Sequence, residues 1–259
     1  MFSWFRPTCP CDPAAKRWVE DRLRWLTRKF GLHVLLERPI ILPTEEFFPD
    51  PWDGSPNAVR AMFHRVCGYM GVDRKCVELR FFDDPANALT ALDPALGIAA
   101  GTWSGTDEPW QRGVVSINRG GLDRPADLVG VMAHELSHQR LLGGGLADSD
   151  AFDNELLTDL TAAFFGFGVF LANNPRKSTG KLERWPGTNL YRPEYISEPM
   201  LGYALAHIAW HRDEASPAWA KALRWAPRAV FKQGLRFLNQ TSDSSFKPVR
   251  LRGAPANDD

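Results

Sequence analysis

Residues 126–142 read Ala-Asp-Leu-Val-Gly-Val-Met-Ala-His-Glu-Leu-Ser-His-Gln-Arg-Leu-Leu. Asp123 and Pro125 mark a helix start before this run, and Gly143-Gly144-Gly145 stops it. The run is apolar on most sides, which predicts a buried helix. Imidazoles and carboxylates on such a helix need partners. Its centre, His134-Glu135-Leu136-Ser137-His138, has the pattern H-E-x-x-H. Two histidines four residues apart share one helix face, one turn apart, so both can reach a single metal ion. Glu135 stands beside that face, within reach of a water on the ion. A metal is the most economical partner for the pair.

A catalytic zinc takes three protein ligands and keeps one position for water. The third ligand is expected on the next helix, read over 150–173, where Glu155 and Asp159 lie four apart on one face. That face continues through the small residues Ala162 and Gly166. The first helix carries Gly130 and Ala133 near its histidines, so the two backbones can approach closely. Leu156, Leu160, Phe164 and Phe167 point elsewhere, to build core. Asp159 is an alternative to Glu155 as ligand. Asp148, Asp150 and Asp153 read as loop and cap residues.

With H-E-x-x-H followed by Glu155-x-x-x-Asp159, the stretch 112–173 resembles the gluzincin, or thermolysin-like, class of zinc metallopeptidases. The resemblance implies a zincin-like α+β fold and a Zn2+ cofactor held by His134, His138 and Glu155. It implies Asp159 hydrogen-bonded to a ligand histidine and Glu135 as general base in peptide-bond hydrolysis. A peptide or protein is then the expected partner. The alternative is a catalytically silent metal-binding module acting in regulation or protein interaction. In zincin folds a strand before the active helix edges the cleft, and Gly113–Asn118 is a candidate, with an ordinary interior strand the other reading. The oxyanion role has no clear owner. Tyr203, His207 and His211 follow i, i+4, i+8 spacing, and Tyr203 or His207 is a candidate, beside a plain packing role.

The remaining chain supplies a small mixed sheet and a helical C-terminal half. Residues 13–30 have helical periodicity, ending at Gly31. Residues 33–42, rich in Val, Leu and Ile, predict a strand, and 43–56 an extended loop. A helix is expected from Ser55-Pro56 to about Met70 and a strand over 75–82. Residues 96–103 and 113–118 form a hairpin across a polar loop. After a Pro/Gly-bearing loop at 175–193, helices are expected over 198–212 and 226–239. The reading gives a single domain over 12–240 and a disordered polar tail over 241–259.

Composition restricts the function. Thirty-one Lys and Arg balance 31 Asp and Glu. This gives no steering toward nucleic acid or a membrane surface, so neither is expected as a partner. The longest apolar run, 160–172, is too short to span a bilayer. No signal peptide is evident, and Cys9, Cys11, Cys67 and Cys76 do not complete a zinc ribbon. Reduced thiols in a cytoplasmic protein are the expectation. Oligomeric state is not read from the sequence.

Overall fold

The computed structural model describes residues 7–83, 101–105, 112–176 and 183–248. Within these, the chain is a mixed α+β protein, mostly helical, with a small sheet. Two of its helices begin at side-chain caps. Asp12 accepts the Ala14 and Ala15 amides at the start of α1 (Pro13–Phe30), and Ser55 accepts the Ala58 amide ahead of α3 (Pro56–Met70). Between them lies α2 (Leu32–Glu37), a short helix where the sequence predicts a strand. Gly31, at φ 99°, turns the chain directly from one helix into the next. Val34 and Leu35 are buried, and Ile41 then docks its amide on the Gly166 carbonyl, 2.9 Å away. An apolar run this short does not distinguish helix from strand by its pattern.

The sheet has the order β1 (Val77–Phe82), β3 (Gly113–Asn118), β2 (Gly101–Ser104). β1 and β3 are parallel, while β2 and β3 are antiparallel, with Thr102 opposite Ser116. The described part of the expected hairpin is therefore present; its residues 96–100 and loop residues 106–111 lie outside the described set. β3 occupies the interior of the sheet, so it offers no free edge to a peptide. The sheet's edges among the described residues are β1 on one side and, on the other, β2. β2 lies on the motif helix α4 (Pro125–Leu141): a Cβ at Gly101 would come within 2.6 Å of Val131.

α4 is buried from Leu128 to Gln139 apart from Val131. At its end Gly145 takes a left-handed φ of 61°, and Leu146 returns its amide to Leu141 at 2.7 Å. Arg140 fixes this end by donating to the Met70 and Gly71 carbonyls, both at 2.8 Å. The next helical stretch is α5 (Asn154–Ala162), a π-helical turn (Ala163–Phe167) and α6 (Gly168–Asn173). Gly166 is required for the break, not for close approach to α4. Its φ is 100°, and a Cβ there would meet the Pro39 carbonyl at 2.4 Å. Gly130 instead faces Phe170. By length and composition Asn154–Asn173 qualifies as a membrane span, yet 94% of its apolar window is buried inside the fold, as in a core helix.

A two-strand ribbon, β4 (Glu183–Arg184) and β5 (Tyr191–Arg192), leads to α7 (Glu198–His211) and α8 (Trp225–Thr241). Residues 242–248, expected within a disordered tail, are anchored. Ser244 is buried, Ser245 bonds Glu20 through its amide and hydroxyl at 2.9 and 2.8 Å, and Phe246 stacks on His211. Satisfying a buried carboxylate outweighs the polar composition of this segment. Residues 249–259 lie outside the described set.

Candidate metal centre

α4 and α5 lie against each other and bring the two halves of the motif together. The His134 and His138 rings meet edge to face, centroids 4.9 Å apart. His134, Glu135 and His138 form a buried group whose potential ligand atoms all lie within 4.8 Å of one another, and it can bind a metal ion. Glu155 reaches the same place from α5. Its two oxygens lie 3.1 Å from His134 Nε2 and 3.5 Å from His138 Nε2. A tetrahedral zinc with bonds of about 2.0–2.1 Å separates its ligand atoms by about 3.3–3.4 Å. The two carboxylate–imidazole separations lie on either side of that value, so a carboxylate and two imidazoles in this arrangement are compatible with such an ion.

The far sides of both rings are fixed. Asp159 Oδ1 lies 2.7 Å from His134 Nδ1, and Asp159 Oδ2 accepts the Ile196 amide at 3.1 Å. The Thr158 hydroxyl donates to the Asn154 carbonyl at 2.8 Å, leaving its oxygen to accept from His138 Nδ1 at 3.3 Å. With each Nδ1 turned to an oxygen, both Nε2 atoms face Glu155, where they would offer lone pairs to an ion bound between them. Thr158 was not among the sequence candidates. Its position between Glu155 and Asp159 gave no signal until the helices were paired.

Electrostatics separates the two histidines. Burial disfavours the charged form of both. For His138 it is the largest influence, joined by repulsion from His134, and its pKa is pushed down to about 4. For His134 burial and Arg176 also act downward, but Asp159 and Glu155 outweigh them, and its pKa is raised. Glu155 is opposed by burial and favoured by His134, with a net lowering.

Three further side chains frame the centre. Trp103 on β2 stacks over His138 at 6.2 Å and donates its indole N–H to Gln139 Oε1 at 2.9 Å. The Tyr195 ring stands 6.3 Å from that of His134. Arg176 places Nη2 3.3 Å from Glu135 Oε1 and Nε 4.0 Å from Asp159 Oδ1, with its guanidinium over Tyr195. Neither Tyr195 nor Arg176 carries a local motif; both sit in irregular segments and arrive by tertiary contact.

Tyr203 and His207 are not at this centre, which corrects their candidacy as oxyanion stabilisers. Tyr203 is fully buried and donates to Glu20 Oε1 on α1 at 2.8 Å. His207 is also fully buried, packed between Tyr203 and Phe246, with neither ring nitrogen hydrogen-bonded. α7 directs this face toward α1 rather than toward α4. Asp153 is likewise structural: its Oδ2 accepts from Trp18 Nε1 and Arg22 Nε at 2.6 and 2.7 Å.

Set against known families, curated proteins and solved structures, the chain has no significant match to any of them.

Proposed function

We propose that this protein is a zincin-like, zinc-dependent hydrolase of peptide bonds. The observation that carries the reading is convergence: the Glu155 carboxylate approaches His134 Nε2 through one oxygen at 3.1 Å and His138 Nε2 through the other at 3.5 Å. Glu155 is preferred over Glu135 as third ligand because it touches both imidazoles, whereas Glu135 Oε1 is engaged by Arg176. Zinc bound there would polarise a substrate carbonyl and lower the pKa of a water to about 7. Glu135 would then accept that water's proton during attack and deliver it to the leaving amine as the C–N bond breaks. Asp159 and Thr158 hold the two imidazoles in the ligating tautomer. Tyr195, whose ring stands 6.3 Å from that of His134, would supply the hydrogen bond to the oxygen on which charge develops.

The silent-module reading draws on one observation, the Arg176 contact to Glu135, which occupies an oxygen the reaction needs. One experiment separates the two. Zinc-loaded wild type should hydrolyse members of a short-peptide library, and Glu135→Gln should keep zinc while losing turnover by at least about 10²–10⁴-fold. A Gln variant as active as wild type would remove Glu135 from the mechanism. Wild type that holds zinc and cleaves nothing would favour the silent module.

A further inference from the structure

Among the described residues, Arg176 is the one guanidinium in contact with the Glu135 and Asp159 carboxylates. Both contacts are long. A charge-assisted guanidinium–carboxylate bond is normally about 2.7–2.9 Å, and often bidentate. Here the approaches are 3.3 and 4.0 Å, one to each carboxylate, so the fork is satisfied by neither. The side chain retains 22% exposure, against 3% for Glu135 and 2% for Asp159, so it is the member of this trio that solvent reaches. The Tyr195 ring supports its guanidinium.

Such a cation serves hydrolysis poorly while it holds Glu135. A ligand offering a better carboxylate would draw the fork away and free Glu135 Oε1 for the water's proton. Contact distance from Glu135 places such a carboxylate within about one residue of the bond being cut, since a residue spans at most about 3.3–3.6 Å. We propose that Arg176 is a carboxylate clamp that selects peptides whose free C-terminal carboxylate lies one residue beyond the scissile bond. This rests on the hydrolase reading and narrows it from peptide bonds in general to cleavage at C-termini.

The test uses zinc-loaded protein with two probes, N-benzoyl-Gly-Phe and its C-terminal amide. Binding is measured by calorimetry in the cold, and turnover separately. In wild type the acid should bind about 10–100-fold more tightly than the amide, the range of one good charge-assisted pair. Arg176→Gln should bring the two affinities together without changing zinc content. Arg176→Lys keeps the charge and loses the planar fork, so it should discriminate weakly; it also carries the comparison if the Gln variant is poorly folded. Equal affinities in wild type, or binding of neither probe, would overturn the clamp. So would discrimination that survives in Arg176→Gln, because the acid would then be held by the metal itself. Failure of the hydrolase reading looks different: acid-selective binding that depends on Arg176, with neither probe cleaved, leaves the clamp standing and the hydrolase not. Cleavage of both probes at equal rates with equal affinities leaves the hydrolase standing and the clamp not.

Discussion

His134 and His138 share with His207 and His211 a four-residue spacing, a largely buried helix and a nearby carboxylate, yet their ring nitrogens are treated in opposite ways. In the first pair each Nδ1 has an oxygen partner, and both Nε2 atoms turn toward Glu155. In the second, His211 Nδ1 donates to the His207 carbonyl at 2.8 Å, while His211 Nε2 and both nitrogens of His207 make no hydrogen bond. Glu20, the nearest carboxylate, lies 3.9 Å from His207 Nε2 but is bonded to Tyr203, Ser245 and Lys16. Phe246 stacks over both rings. Spacing on a helix thus brings imidazoles together in both places. Only outer partners that leave the inner lone pairs free make a ligand set.

The contrast can be broken in several ways. The largest effect is expected at Glu155. Glu155→Ala opens the first cluster and should remove most of its zinc, whereas Asp159→Ala, which frees the far side of His134, should weaken zinc affinity or activity by about 10–100-fold. Chelator competition ranks the two, and the reverse order would exchange their roles. Tyr195→Phe should retain zinc and lower kcat by about 10²–10³-fold if Tyr195 supplies the oxyanion hydrogen bond, while Tyr203→Phe leaves kcat alone. Steady-state kinetics on one cleaved peptide decides between them.

The second cluster should reveal itself through stability. Burial pushes the His207 pKa down to about 3. Unfolded histidine titrates near about 6.5, so below that pH the unfolded chain binds a proton that the folded chain refuses. Stability attributable to neutral His207 is therefore complete above about pH 6.5. It declines as pH falls toward about 3, by at most about 1.4 kcal/mol per pH unit. Denaturant titrations between pH 7 and 4 should show a shallower decline in His207→Phe than in wild type. Parallel declines would mean that His207 is not the group responsible.

Much of the candidate site's arrangement was legible because it is local. H-E-x-x-H and the Glu155/Asp159 pair each sit within one helical turn, and helix periodicity fixes their faces. The helix start at Ser55 was legible for the same reason, through a cap that reaches three residues. What escaped depends on contacts between distant residues. Tyr203 finds Glu20 across 183 positions and Ser245 finds it across 225, so neither the fate of the α7 face nor the anchored tail had a local signature. Residues 33–42 failed for another reason. Val34, Leu35, Ile40 and Ile41 are all buried, as a strand would require, but the run is divided between a short helix and an extended stretch docked on Gly166. Arg176 and Tyr195 entered through irregular segments, where residue type alone carries little information.

Metal content compared between the two histidine pairs tests the central claim most directly. Purified protein should carry about one zinc per chain by elemental analysis, the stoichiometry of a single three-ligand site. His134→Ala/His138→Ala should lose it, and His207→Ala/His211→Ala should retain it wherever the variant remains folded. Zinc that persists in the first variant and disappears from a folded second variant would contradict the assignment.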